Sequence, residues 1–165
     1  MKHQSNCLRG FSRPLLACVV SLFIASGFST AIAGSDPDAC TLLKASDLTT
    51  LLGGTPVAHS NVTACRWTTS GSNKKLIVAK MNLHGKEEMA YAGARQNAQK
   101  GGSKVTDEAG LGDKAFLVVQ DSGAATLMII KQGRLLQLQY MTEATITDKD
   151  LGSLRSVAKT ATAAY

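Results

Sequence analysis

Two cysteines, Cys40 and Cys65, constrain this chain more than any other residues. The chain holds four cysteines. Cys7 and Cys18 fall in an N-terminal stretch built like an export signal. Lys2, Arg9 and Arg13 supply positive charge with no acid among them. Leu15 to Phe28 is mostly apolar, broken only by Ser21, Ser26 and Gly27, and Ala31-Ile32-Ala33 gives the small-x-small pattern of a cleavage site. Cleavage after Ala33 is expected, and with it a periplasmic or secreted protein. The alternative is a retained anchor, because Pro14 to Ala33 is about long enough to cross a bilayer. Membrane contact would then run through this segment alone. Leu15-Leu16-Ala17-Cys18 has the look of an acylation box, but the apolar run continues after Cys18, which argues against lipidation. Cys40 and Cys65 are left as an even pair in an exported chain, which reads as a disulfide. A closed loop of this length contributes about 3.5 kcal/mol, a large share of the roughly 5–15 kcal/mol that holds a domain folded. A two-cysteine metal site would need more ligands, and His59 and His84 do not have zinc-finger spacing.

Removing 33 of 165 residues leaves 132, enough for one domain with a real core. Fifteen Lys and Arg then face twelve Asp and Glu, a net charge of +3. That modest balance does not point to nucleic acid. Residues 34–39 read as a disordered polar tail, and 40–165 as the folded domain.

Lys44 to Leu52 has helical spacing at Leu48, Leu51 and Leu52, with Gly53 after it and Asp47 in the first turn. Pro56 limits 55–60 to an edge strand. In the next strand Cys65 and Trp67 share one face. Lys75 to Leu83 follows as a strand, read with Ile77, Ala79, Met81 and Leu83 inward and a polar face outward. Lys86 to Lys100 is a second helix, with Glu87 and Glu88 at its start and a narrow face of Ala90, Tyr91, Ala94 and Ala98. That face buries little area, so this helix is expected to be the less firmly held. Strands at 115–120, 124–131 and 134–141 follow. Gln132-Gly133 turns the last two, and setting Lys131 opposite Arg134 matches Ile129 with Leu136, Leu127 with Leu138 and Ala125 with Tyr140 on one face. A slip of one residue would destroy that agreement. Thr147 opens a final helix with Asp150 three positions on, close to a capping box. The expected fold is α+β: one domain, a mainly antiparallel sheet of about five strands, and helices on one face.

Three pieces carry a resemblance. They are the Cys40-x-Leu42-Leu43 start with its short helix ending Gly53-Gly54, the strand Cys65-Arg66-Trp67, and the loop Gly110-Leu111-Gly112-Asp113-Lys114-Ala115. In this order they resemble a family of small exported bacterial domains of unknown function, common as lipoproteins in actinobacteria. The resemblance implies the Cys40–Cys65 disulfide and an α+β sheet. It brings no activity and no catalytic residues. The chain departs from the family in having Lys44 at the helix N-cap and no acylation box just before the domain.

The residues for catalysis are sparse. General acid–base or nucleophilic chemistry needs a base beside a nucleophile, and beyond the signal there are two histidines, no spare cysteine and no Gly-x-Ser-x-Gly elbow. His59 and His84 read as surface residues. Asp113, Asp107 and Glu108 are the available carboxylates, and Asp113 most simply ties down its own loop. Gly110 and Gly112 precede a strand, which is the wrong order for a nucleotide fingerprint. Met81, His84 and Met89 would suit Cu(I) chemically, but Met81 reads as core. Lys74, Lys75, Lys80, Lys86, Arg95, Lys100 and Lys104 make the middle of the chain basic. They could attract anionic lipid or cell-wall polymer, although a solvated face explains them more simply. No catalytic residues, metal or cofactor are assigned. The expectation is a non-enzymatic exported domain that binds an envelope protein or a small ligand, across its sheet or through the loop at Gly110, Leu111, Gly112 and Asp113. The alternative is a small exported hydrolase using carboxylates near Gly110–Ala115.

Overall fold

The computed structural model describes residues 38–61 and 63–165; the expected export signal and most of the expected polar tail lie outside them. A 3-10 turn (Ala39–Leu42) leads into α1 (Ala45–Leu52). β1 (Pro56–Ser60), β2 (Ala64–Thr69) and β3 (Lys75–Met81) form a meander, followed by α2 (Glu87–Lys100). β4 (Lys104–Asp107), β5 (Lys114–Gln120), β6 (Ala124–Lys131) and β7 (Arg134–Met141) complete the sheet, and α3 (Asp148–Ala164) ends the chain. All seven strands lie in one antiparallel sheet, in the order β1-β2-β3-β7-β6-β5-β4. The class is α+β, with seven strands rather than about five. The strand missing from the sequence reading is β4, whose Lys-Val-Thr-Asp carries one apolar residue and no alternation. It forms an edge by pairing with β5. β1 is the other edge, and its Pro56 stands at the first position, where a missing ladder donor costs least.

The β6–β7 hairpin has the register its apolar pattern demands. Lys131 pairs with Arg134, Ile129 with Leu136, Leu127 with Leu138 and Ala125 with Tyr140. The six inner residues of that set are completely buried. They form the main core with Trp67, Leu76 and Val78 on the sheet and with Leu48, Leu51, Leu154, Val157, Ala158 and Ala161 on α1 and α3.

Two expectations about facing are corrected. On β3 it is Leu76 and Val78 that enter the main core, opposite Tyr140 and Leu138 of β7; Ile77, Ala79 and Met81 face the other way and are half-buried. Helices also cover both faces of the sheet, not one. β5 and β6 are apolar on alternate residues of both faces, as strands sandwiched between two layers are. Ala115, Leu117, Leu127 and Ile129 meet α1 and α3, whereas Phe116, Val118, Met128 and Ile130 join Tyr91 of α2 in a second, smaller core.

Cys40 and Cys65 are disulfide-bonded, with Cα atoms 4.9 Å apart. The bond fastens the 3-10 turn to β2. Asp38 accepts from the Cys40 N–H at 2.9 Å and from the Ser60 hydroxyl at 3.1 Å, and Ala39, Leu42 and Leu43 are buried. Ala39 therefore belongs to the core rather than to the tail.

α3 is fixed by Asp150. Its carboxylate accepts from the Thr147 N–H and hydroxyl, closing the capping box, and from Lys74 and the Tyr140 hydroxyl at the sheet. Burial alone would raise this carboxyl, but the hydrogen bonds from Thr147 and Lys74 outweigh it and hold the pKa at about 2. A depressed carboxyl stabilises the fold above its unfolded value and loses that contribution as pH falls.

Replacing both Cys40 and Cys65 by Ala should lower unfolding free energy by about 3.5 kcal/mol in denaturant titrations. Asp150→Asn should cost on the order of 2 kcal/mol at pH 7. It should also flatten the loss of stability that the native chain shows between about pH 4 and pH 2, followed by thermal melts across that range.

Candidate functional site: a groove between the second helix and the sheet

The loop singled out in the sequence serves the fold. Leu111 is buried in the main core. Gly110 and Gly112 have φ of +75° and +131°, and a Cβ on Gly112 would stand 2.5 Å from the Ile130 carbonyl oxygen. That close approach lets the Asp113 N–H donate to the Ile130 carbonyl at 2.8 Å, while the Asp113 carboxylate accepts from the Gln132 N–H at 2.6 Å. Gln132 itself sits at φ +52°. Asp113 thus clasps the β6–β7 turn rather than only its own loop.

The carboxylates and histidines considered for hydrolysis do not converge. Glu108 is mostly buried and takes both Nε and Nη2 of Arg155, at 2.8 and 2.7 Å, which ties it to α3. Asp107 pairs with Arg95 of α2, and this pair holds each group further into its charged range. His84 lies exposed in the β3–α2 turn at φ +51°. His59 is exposed on β1, within 3.0 Å of the Thr68 hydroxyl.

The most developed hollow lies elsewhere, beside α2. The helix is pinned along one side. Tyr91 meets Phe116 edge-to-face at 4.8 Å, Arg95 lies over the Phe116 ring and pairs with Asp107 of β4, and Glu88 accepts from Lys114 of β5 at 2.9 Å. All three ties reach the β4–β5 side. On the other side α2 presents Ala90, Ala94 and Ala98, with Asn97 at the edge. Their short side chains leave a groove of about 580 Å³, floored by Met81, Phe116, Val118 and Met128 and edged by Asn97, Ser103, Gln120, Thr126 and Gln137. Pockets of this size, mostly apolar with a few polar groups at the edge, are where small ligands bind.

The sheet face continues past the groove without a helix. Strand pairing places Gln139, Ile77, Arg66 and His59 in one row across β7, β3, β2 and β1, flanked on one side by the row of Gln137, Ala79 and Ala64 and on the other by the row of Met141, Lys75 and Thr68. A second hollow of about 480 Å³ adjoins the groove at Met81 and is lined by Asn82, Glu87, Arg134 and Tyr165. Its charged groups are engaged: Glu87 accepts from the Leu83 N–H at 2.8 Å, which holds its carboxyl below the usual range, and Arg134 stacks over Tyr165.

Sequence reasoning found the small-residue face of α2 but not the groove. The signal was present in two parts: a helix face of alanines, and strands apolar on both faces that require a helix to cover each.

No protein-family model, curated protein or solved structure matches the chain. Among the described residues no helix is long and apolar enough to cross a membrane, and no three His, Cys, Asp or Glu cluster as metal ligands would.

Gly112→Ala should destabilise the fold by several kcal/mol, since both the φ and the contact with Ile130 forbid the methyl group. Asp113→Ala should cost about 1–2 kcal/mol through loss of the Gln132 clasp. Denaturant titration checks both, and neither change should alter ligand uptake by the groove at temperatures where the variant remains folded.

Proposed function

We propose that this chain is an exported, non-enzymatic binding domain of the bacterial envelope, periplasmic or secreted, which holds a small ligand in the groove between α2 and the sheet. The observation that carries this reading is the groove itself: an apolar floor and a polar edge, opening onto a sheet face left half uncovered. The disulfide accords with an oxidising compartment, and the Cys40-x-Leu42-Leu43 resemblance to exported bacterial domains points the same way. The sheet face is a better binding surface than the Gly110–Asp113 loop, whose groups are spent on packing and on the β6–β7 turn. The hydrolase alternative gains nothing from the geometry, because Asp113 and Glu108 serve separate structural tasks and His84 lies apart from both in the β3–α2 turn.

Titration with Nile red, an uncharged apolar dye, tests the reading. The native protein should bind it saturably at one site. Ala94→Phe and Ala98→Phe, which put a ring into the groove, should each weaken uptake at least about tenfold while retaining the native circular dichroism. Unsaturable binding, or equal binding by folded variants, would overturn the groove as the site.

A further inference from the structure

We infer that the ligand of this groove is a single-chain anionic amphiphile, with its acyl chain under α2 and its anionic head on the uncovered sheet face near Arg66 and Lys75. This inference rests on the binding reading above and adds the chemical class. It starts from the charges on that face of the sheet. The strand register puts only one carboxylate there, Asp107, at the β4 edge and already paired with Arg95. Lys114, at the same side, is paired with Glu88. Arg66 and Lys75 are exposed and have no ion-pair partner among the described residues. Between them and the groove stand the two amides Gln137 and Gln139, which can donate to an anion. Arg66 pairs with Ile77, Ile77 with Gln139, and Gln139 with Thr126 on the groove edge. Arg66 is therefore two strands, about 10 Å, from the amide row, a gap that its long side chain and a head group can close together.

The apolar and cationic parts share one face of the sheet, and the opening between them lies on the alanine side of α2, away from its ion pairs with β4 and β5. A ligand can extend across that opening, chain inward and head outward. A monomeric amphiphile fits better than a bilayer surface, because the apolar contacts lie beneath the helix, where a planar membrane cannot reach.

The test compares three ligands of one chain length, each below its micelle concentration, as competitors of Nile red on the full chain. They are dodecanoate, its uncharged glycerol monoester and dodecyltrimethylammonium. Dodecanoate should displace the dye about tenfold more effectively than the ester, with the cation weakest. Arg66→Glu with Lys75→Glu should erase the preference for dodecanoate while leaving the ester within about twofold, because both residues are exposed and have no ion-pair partner among the described residues. Arg66→Gln with Lys75→Gln should give an intermediate loss. Equal displacement by dodecanoate and ester, or no effect of the charge reversal, would overturn the anionic head site and leave the groove reading standing. Binding to phosphatidylglycerol vesicles without displacement by monomeric dodecanoate would overturn it in favour of surface adsorption. Failure of every ligand, Nile red included, would remove both readings.

Discussion

β7 is the strand on which the rest of the structure depends. It lies at the centre of the sheet and pairs along its whole length with β6 and from Leu135 to Met141 with β3. Its two faces differ in kind. Leu136, Leu138 and Tyr140 all point into the main core and are completely buried. The opposite face begins with buried Leu135 and then changes to the half-buried amides Gln137 and Gln139. Because the side-chain period of a strand is two, one register fixes both patterns at once. The second face is apolar enough to attract a helix over β5 and β6, and on β7 the amides Gln137 and Gln139 interrupt it before the half-buried Ile77 and Ala79 of β3. The groove is edged where the amides begin. The groove edge follows from the alternation of one central strand.

Much of this was legible in the sequence, and the failures share a cause. The β6–β7 register could be read because apolar and polar residues alternate cleanly and only one pairing satisfies them. The Thr147–Asp150 cap and the disulfide could be read because each depends on residue types at fixed places. The facing of β3 could not, because Leu76, Ile77, Val78 and Ala79 are apolar on both sides and local pattern offers no choice between them. Pairing with β7 makes the choice. β4 was hidden because four residues with one apolar side chain become a strand only when β5 stands beside them. The partner of Asp113 is 19 residues away, so its clasp on Gln132 is visible only once the hairpin is folded. The groove is a volume, and the sequence records it only as the smallness of Ala90, Ala94 and Ala98.

The two helix layers differ in the forces that hold them. α1 and α3 bury Leu48, Leu51, Leu52, Leu154 and Val157 against the sheet, and their ends are capped by Asp47 and by the Thr147–Asp150 box. Each such side chain is worth about 1.5–3 kcal/mol when fully buried. α2 buries Tyr91 and a row of alanines, and its remaining ties are ion pairs at the surface, which contribute little. The main core therefore sets global stability, and the second layer is the part of the fold most open to local fluctuation. Adaptable surface over a rigid sheet is a common division of labour in binding proteins.

The one-sided attachment of α2 has a kinetic meaning. Its ion pairs to β4 and β5 lie along one edge, and the alanine side is held only by packing in the second core. A rotation of the helix about that edge would widen the groove at the cost of the alanine packing, and would leave every strand pair and the disulfide in place. Entry and exit would then be gated by a small helix motion of the kind that occurs in microseconds to milliseconds. On the proposed binding reading, ligand exchange would depend on the ties at one edge of this single helix rather than on the main core.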